Sequence, residues 1–143
     1  MAQNRQKGFT LIEIMVVIVI IGLLATLVLP RVMGRQEQAF IAKTKSDIQA
    51  LSSALKFYKL DNFHYPSTDQ GLQALVTLPS GDPVPKNWKK GGYVERLPND
   101  PWGNPYQYLS PGEKREFDLW SWGADGVEGG EEGDAEIGNW NIN

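Results

Sequence analysis

The chain has 143 residues, a formal charge of −3, 41% hydrophobic residues and no cysteine. That length suits one compact domain rather than two. The missing cysteines exclude disulfides, thiolate metal sites and thiol nucleophiles, and the single histidine excludes any metal site needing two imidazoles.

The charge is segregated along the chain. All 14 bases lie in the first 115 residues with nine of the 17 acids, and eight acids with no base follow from Glu116 onward. The net acidity speaks against nucleic acid as a partner. Three lysines around Trp88 (Lys86, Lys89, Lys90) sit in a loop and read as solvated charge.

In chain order, residues 1–8 carry Arg5 and Lys7 and no acid, and Phe9–Leu29 follows as an apolar run. Only Thr10, Glu13, Gly22 and Thr26 interrupt it. At about 1.5 Å per residue this makes roughly 32 Å of helix, enough to span a bilayer core. The basic flank predicts a cytoplasmic N-terminus, with everything after Leu29 across the membrane. The run exceeds the roughly 7–15 residues of a cleaved signal peptide's apolar region, and Leu29-Pro30-Arg31-Val32 offers no small-x-small cleavage site. A processing cue stands instead before the run, at Gly8-Phe9.

Glu13 is costly inside a membrane and needs a partner or a function. If the chain were cut after Gly8, Phe9 would carry a new ammonium one helical turn from Glu13. The acid could neutralise that terminus, or the terminus of a neighbouring subunit.

The helix is expected to continue. Ile41, Thr44, Ile48, Leu51, Leu55 and Tyr58 recur at steps of three and four and form a stripe that packs on the chain's own globular part. Pro30 predicts a kink or local unwinding. Asp61-Asn62 and Tyr65-Pro66 end the helix. A short helix is predicted over Asp69–Leu75 with Thr68 as N-cap, then a Pro- and Gly-rich loop over Leu78–Gly92 and a turn region over Asp100–Pro105. Strands are predicted at Tyr106–Ser110, Glu116–Trp122 and Ile137–Ile142, with residues 111–115 as a hairpin loop. Alternation puts Phe117, Leu119 and Ser121 on one face, and Asp118, Trp120 and Trp122 on the other. The fold class is α+β: a long N-terminal helix, apolar in its first half, with a small antiparallel sheet packed on its second half.

Gly123–Gly138 holds six glycines and six acids in 16 residues. Clustered carboxylates repel, so either the loop stays solvated and flexible or a hard, oxygen-loving cation such as Ca²⁺ gathers them. An EF-hand is excluded: counted from Asp125, the third and fifth positions are Val127 and Gly129. There is no Gly-x-Ser-x-Gly, His-Glu-x-x-His or Walker loop, and His64 reads as a loop residue, so an enzyme is not expected.

Lys7-Gly8-Phe9-Thr10-Leu11-Ile12-Glu13 resembles the processing signal of type IV pilins and type II secretion pseudopilins. Further stretches (Tyr58-Lys59-Leu60-Asp61-Asn62, Tyr65-Pro66, Gln70-Gly71-Leu72-Gln73-Ala74-Leu75, Gly91-Gly92-Tyr93, Leu97-Pro98, Asp100-Pro101-Trp102-Gly103, Gly138-Asn139-Trp140) are similar to the major pseudopilins of type II secretion. The absent cysteines set the chain apart from the disulfide-closed type IV pilins. The resemblance implies a type IV pilin-like fold in three parts: a leader at 1–8, a membrane and filament-core helix half at 9–30, and a periplasmic α+β domain at 31–143. It further implies cleavage between Gly8 and Phe9 by a prepilin peptidase, N-methylation of Phe9, and Glu13 as the assembly glutamate. The implied product is a homo-oligomeric helical filament, a periplasmic pseudopilus, built from the bacterial inner membrane with minor pseudopilins and an inner-membrane assembly platform. In that family a C-terminal calcium loop replaces the disulfide. The implied ligands are Asp125 and Asp134, with backbone oxygens of Trp122 and Val127, while Glu136 and Asp118 are weaker candidates. Two readings remain beside it: a signal-anchored, calcium-dependent binding module that never polymerises, and a type IV pilus subunit.

Overall fold

A computed structural model describes residues 8–131 and 134–143, with the backbone alone at 28–33. The expected leader, Gly8 excepted, lies outside the described residues. Contacts divide the chain into two compact units, Met1–Glu37 and Gln38–Asn143. Residues 34–39 are all exposed, and side-chain packing of the second unit starts at Phe40 and Ile41.

Helix α1 spans Leu11–Asn62. The local unwinding expected at Pro30 is absent, and the helix is unbroken there. Proline removes a single N–H donor, a small loss in a helix of 52 residues. In the second unit the predicted stripe is the core face: Thr44, Ile48, Leu51, Leu55 and Tyr58 are all buried. Thr44 is tolerated among apolar residues because its hydroxyl donates to the Phe40 carbonyl at 2.9 Å. Each fully buried aliphatic or aromatic side chain contributes about 1.5–3 kcal/mol.

The helix ends where its last carbonyls find other donors. Asn62 is buried, and its amide donates to the Tyr58 carbonyl and the Tyr93 hydroxyl while its Oδ1 accepts the Asn87 N–H at 2.9 Å. Next comes a 3₁₀ turn, Leu72–Leu75, shorter than the helix expected over Asp69–Leu75. Thr68 does not cap it. Ser67 and Gln70 instead bond each other reciprocally, and Thr68 Oγ1 donates to the Ser110 carbonyl and accepts the Ser110 N–H, tying this turn to the hairpin. Gly92 lies over the same turn with φ of 84°, and a Cβ there would sit 2.8 Å from the Leu75 carbonyl oxygen. Only glycine allows that approach.

Strands β1 (Gln107–Leu109), β2 (Asp118–Ser121) and β3 (Ile137–Gly138) form an antiparallel sheet in that order. All three are shorter than expected. Phe117, Leu119 and Ser121 are buried toward the core with Ile137 and Tyr106, and Trp120 and Trp122 are half-covered on the other face. Asp118, on that outer face, is also buried, because its carboxylate accepts the N–H groups of Glu113, Lys114 and Arg115. It closes the hairpin turn.

All five tyrosines have their hydroxyls held above the ordinary range, burial being the main cause in each. Tyr58 is pushed up to about 12 by burial and by Tyr93, and Tyr65 to about 12 by burial and its bond to Glu116. Tyr106 is raised by burial and by its 2.9 Å bond to Asp47. A raised pKa in the fold means that the unfolded chain loses these protons first. Stability is therefore fully present below about pH 10 and falls as pH rises from there through about 12. We expect tyrosinate absorbance to appear together with loss of the fold in this window. Tyrosinate forming near pH 10 in a chain that stays folded would refute the packing described.

Candidate functional site

Two regions hold the residues singled out by the sequence. In the first unit, Gly8, Phe9 and Thr10 precede α1 and are exposed. Thr10 is the N-cap and Glu13 stands three residues on: the Thr10 N–H donates to Glu13 Oε2 at 2.9 Å, and the Glu13 N–H points back to Thr10 Oγ1 at 3.4 Å. This reciprocal pair is a capping box, and it places a negative charge where the helix dipole is positive. Beyond it the large apolar side chains from Leu11 to Leu27 are at least half exposed. Among the described residues no helix is long and apolar enough to cross a membrane, the described side chains of this stretch ending at Leu27. Among the described residues of this unit nothing covers that surface, so it needs a cover from outside the unit.

In the second unit, the acidic loop runs between β2 and β3. Pairing of Ser121 with Ile137 and of Trp120 with Gly138 brings its two ends together. The first stem is fixed by Asp100, a buried acid the sequence left unread. Its Oδ1 accepts the Trp102 and Asn104 N–H groups, and its Oδ2 accepts the Ser121 hydroxyl at 2.6 Å. The Ser121 Oγ in turn accepts the Gly123 N–H. The second stem is fixed by Asn139, bonded to Leu119 and Phe117, and by Asn141, bonded to Gly138 and Glu136. The signal for the first group was an acid opening a Pro-Trp-Gly-Asn-Pro turn; for the second, asparagines flanking Trp140.

Within the loop, Asp125 is exposed and accepts the Val127 N–H at 3.1 Å, which turns the chain beside it. Gly130 has φ of 109°, and a Cβ there would fall 2.3 Å from the Asp134 carbonyl oxygen, so the loop folds back on itself at Asp134. Glu136 is already engaged: Oε1 accepts the Gly129 N–H at 3.1 Å and Oε2 lies 3.9 Å from the Lys114 ammonium. Trp122 is half-covered, edge-on to Trp120 at 5.4 Å. Asp118 is committed to the hairpin turn and takes no part in the loop. Among the described residues no three acidic or imidazole side chains converge as a metal site. A cation here would have to use two carboxylates completed by main-chain oxygens. Asp125, Asp134 and the Trp122 and Val127 carbonyls are all oxygen donors, and that set fits a hard ion such as Ca²⁺.

Comparison with known proteins covers nearly the whole chain. The family of type II secretion system protein G matches residues 31–140, and the prokaryotic N-terminal methylation motif matches residues 3–29. The chain is 64% identical to the type II secretion system core protein G of Pseudomonas aeruginosa, over 98% of this chain and 99% of that one. It is 59% identical to the protein of the same description from Vibrio cholerae, over 97% and 94%. Among solved structures it resembles the major pseudopilin of the type 2 secretion system of enterohaemorrhagic Escherichia coli, with a TM-score of 0.68 and 48% identity, over 76% of this chain and 92% of that one.

Proposed function

This chain belongs to the type II secretion system protein G family, and from that premise we propose how its parts work as a filament subunit. It is a structural pseudopilin of type II secretion and not an enzyme. Its N-terminal methylation motif implies processing by a prepilin peptidase and assembly into a pseudopilus. In our reading the cut falls between Gly8 and Phe9, and Phe9 becomes the methylated N-terminus. The mature chain crosses the bacterial inner membrane once, N-terminus cytoplasmic, with the second unit in the periplasm, before it joins the filament. Minor pseudopilins and an inner-membrane assembly platform are the further partners.

The observation that carries this reading is the apolar surface from Leu11 to Leu27, exposed along α1 behind an exposed Gly8-Phe9. Lipid covers it first, and neighbouring helices cover it in the filament. Moving it from lipid to protein gains packing rather than hydrophobic burial. Glu13 is different, because lipid cannot satisfy a carboxylate. A neighbour's Phe9 ammonium can, and that pairing favours the filament over the membrane. N-terminal sequencing of the membrane-purified protein tests the premise of the scheme. A blocked or methylated Phe9 is expected, and a start at Met1 or Ala2 overturns it.

In the second unit Asp125 and Asp134, with backbone oxygens of Trp122 and Val127, would hold Ca²⁺. Glu136 bonds Gly129 instead, which favours Asp134 over it. When bound, the ion supplies positive charge that offsets the carboxylates. The chain's own part is to hold both stems of the loop in register through Asp100, Ser121 and Asn139.

A further inference from the structure

The second unit has chemically opposite ends. One end is the C-terminus of α1. There Phe57, Leu60 and Phe63 are 61%, 71% and 79% exposed, and Val84 is exposed as well. Phe63 has φ of 67°, a left-handed conformation that costs energy for a bulky residue, and its ring is spent on no contact in the core. Asn87 pins the 84–93 loop against this helix end, bonding the Asn62 side chain and the Asp61 carbonyl. That loop brings Lys86, Lys89 and Lys90 to the same end as the rings, and among the described residues none of the three forms an ion pair.

The acidic loop sits at the other end. Gly126 lies against Asn104, the Asp100 turn holds the loop's first stem, and Trp102 of that turn packs edge-on to Phe40 at 5.8 Å. From Phe40 to Asn62 is about 33 Å of helix at the usual rise. On this end Val127 is 56% exposed, flanked by the exposed Glu128 and Glu131. Neither glutamate belongs to the set proposed for calcium.

We propose that copies of this chain dock end to end: the acidic loop of one seats on the helix-end patch of the next. Val127 lies against the Phe57, Leu60 and Phe63 surface, and Glu128 and Glu131 face Lys86, Lys89 and Lys90. The occupant is a second copy because the same chain carries both the basic, apolar face and its acidic, apolar complement. The two faces lie at opposite ends, so each docking leaves one of each free. Such a heterologous contact does not close and grows into an open polymer. The contact rests on the filament reading above and assigns its periplasmic faces. Charges at the rim set register and rate more than raw affinity.

The absence of cysteine makes the test clean. Full-length chain carrying both Phe63→Cys and Val127→Cys is expressed with its secretion machinery and oxidised in membranes. Both sites are exposed, so neither substitution disturbs the core. A disulfide-linked ladder is expected from the double variant and none from either single variant. Glu128→Lys with Glu131→Lys should cut the ladder about tenfold, and adding Lys86→Glu, Lys89→Glu and Lys90→Glu should restore most of it. An amine-reactive cross-linker reports assembly independently. Multimers captured by it without a disulfide ladder overturn this contact and leave the filament standing. No multimers by either route overturn both. A dimer from the Phe63→Cys variant alone overturns the head-to-tail pairing, and a disulfide from that variant to a different protein overturns the proposed occupant.

Discussion

A Glu13→Gln variant is expected to be processed and inserted normally and to yield almost no filament, and Glu13→Ala the same. The pair separates the capping role that the structure shows from the charge-pairing role proposed above for assembly. Glu13 caps α1, accepting the Thr10 N–H at 2.9 Å. Glutamine serves in a capping box nearly as well, so Glu13→Gln keeps the helix start and removes only the charge. If the charge pairs with a neighbour's Phe9 ammonium inside an apolar filament core, losing it strands that ammonium. Breaking a buried pair from one side costs about 3–5 kcal/mol. At about 1.4 kcal/mol per tenfold, this is more than roughly a hundredfold in the constant for adding a subunit. Sheared filaments and exported protein are the readouts. Glu13→Gln assembling at the native level would show that the cap and not the charge matters. Glu13→Ala that still assembles and exports would remove Glu13 from assembly altogether and favour a simple anchor.

The same residue shows what a sequence makes legible. Thr10 and Glu13 have the spacing of a capping box, a purely local signal, but their apolar context directs attention to the membrane. The core stripe from Ile41 to Tyr58 was legible because helical periodicity alone puts it on one face. The inward alternation of Phe117, Leu119 and Ser121 was legible for the same reason, at period two. Thr68 was misread because Ser67 and Gln70 compete for the same turn, and the better partner for Thr68 is Ser110, 42 positions on. Asp118 belongs to the outer face by alternation, yet three N–H groups of the hairpin turn bury it. Asn62, Asp100 and Asn139 were only partly legible: the sequence marks a helix end and turns at these positions, but their bonds to Tyr93 and Asn87, to Ser121, and to Leu119 and Phe117 join groups that only the tertiary fold brings near. The helix-end patch was half legible: Phe57 and Leu60 fall off the core stripe, but the lysines reach it only because Asn87 folds their loop onto α1.

Calcium added to the detergent-purified chain is expected to raise its thermal midpoint, and Asp125→Ala to abolish the rise. At a calcium concentration about a hundred times its dissociation constant, binding to the folded state alone adds about 2.7 kcal/mol. For a unit of this size each kcal/mol moves the midpoint by about 4–8 °C, so the rise should be on the order of 10–20 °C. Magnesium should do much less, because it demands a tighter octahedral shell and sheds water reluctantly. The two remaining acids should part company. Asp134→Ala should lower calcium affinity and leave the calcium-free midpoint nearly unchanged. Glu136→Ala should do the reverse, because its carboxylate accepts the Gly129 N–H and lies 3.9 Å from the Lys114 ammonium. Trp122 stands at the first stem, so its fluorescence offers a second reading of the same titration. No calcium-dependent shift in the native chain would sink the site. Equal losses of calcium response in Asp134→Ala and Glu136→Ala would mean that the loop, rather than a defined pair of carboxylates, gathers the ion. The stems argue for a defined pair. Asp100, Ser121 and Asn139 hold the loop's two ends in register through bonds of their own, which reduces the ordering that binding must still impose.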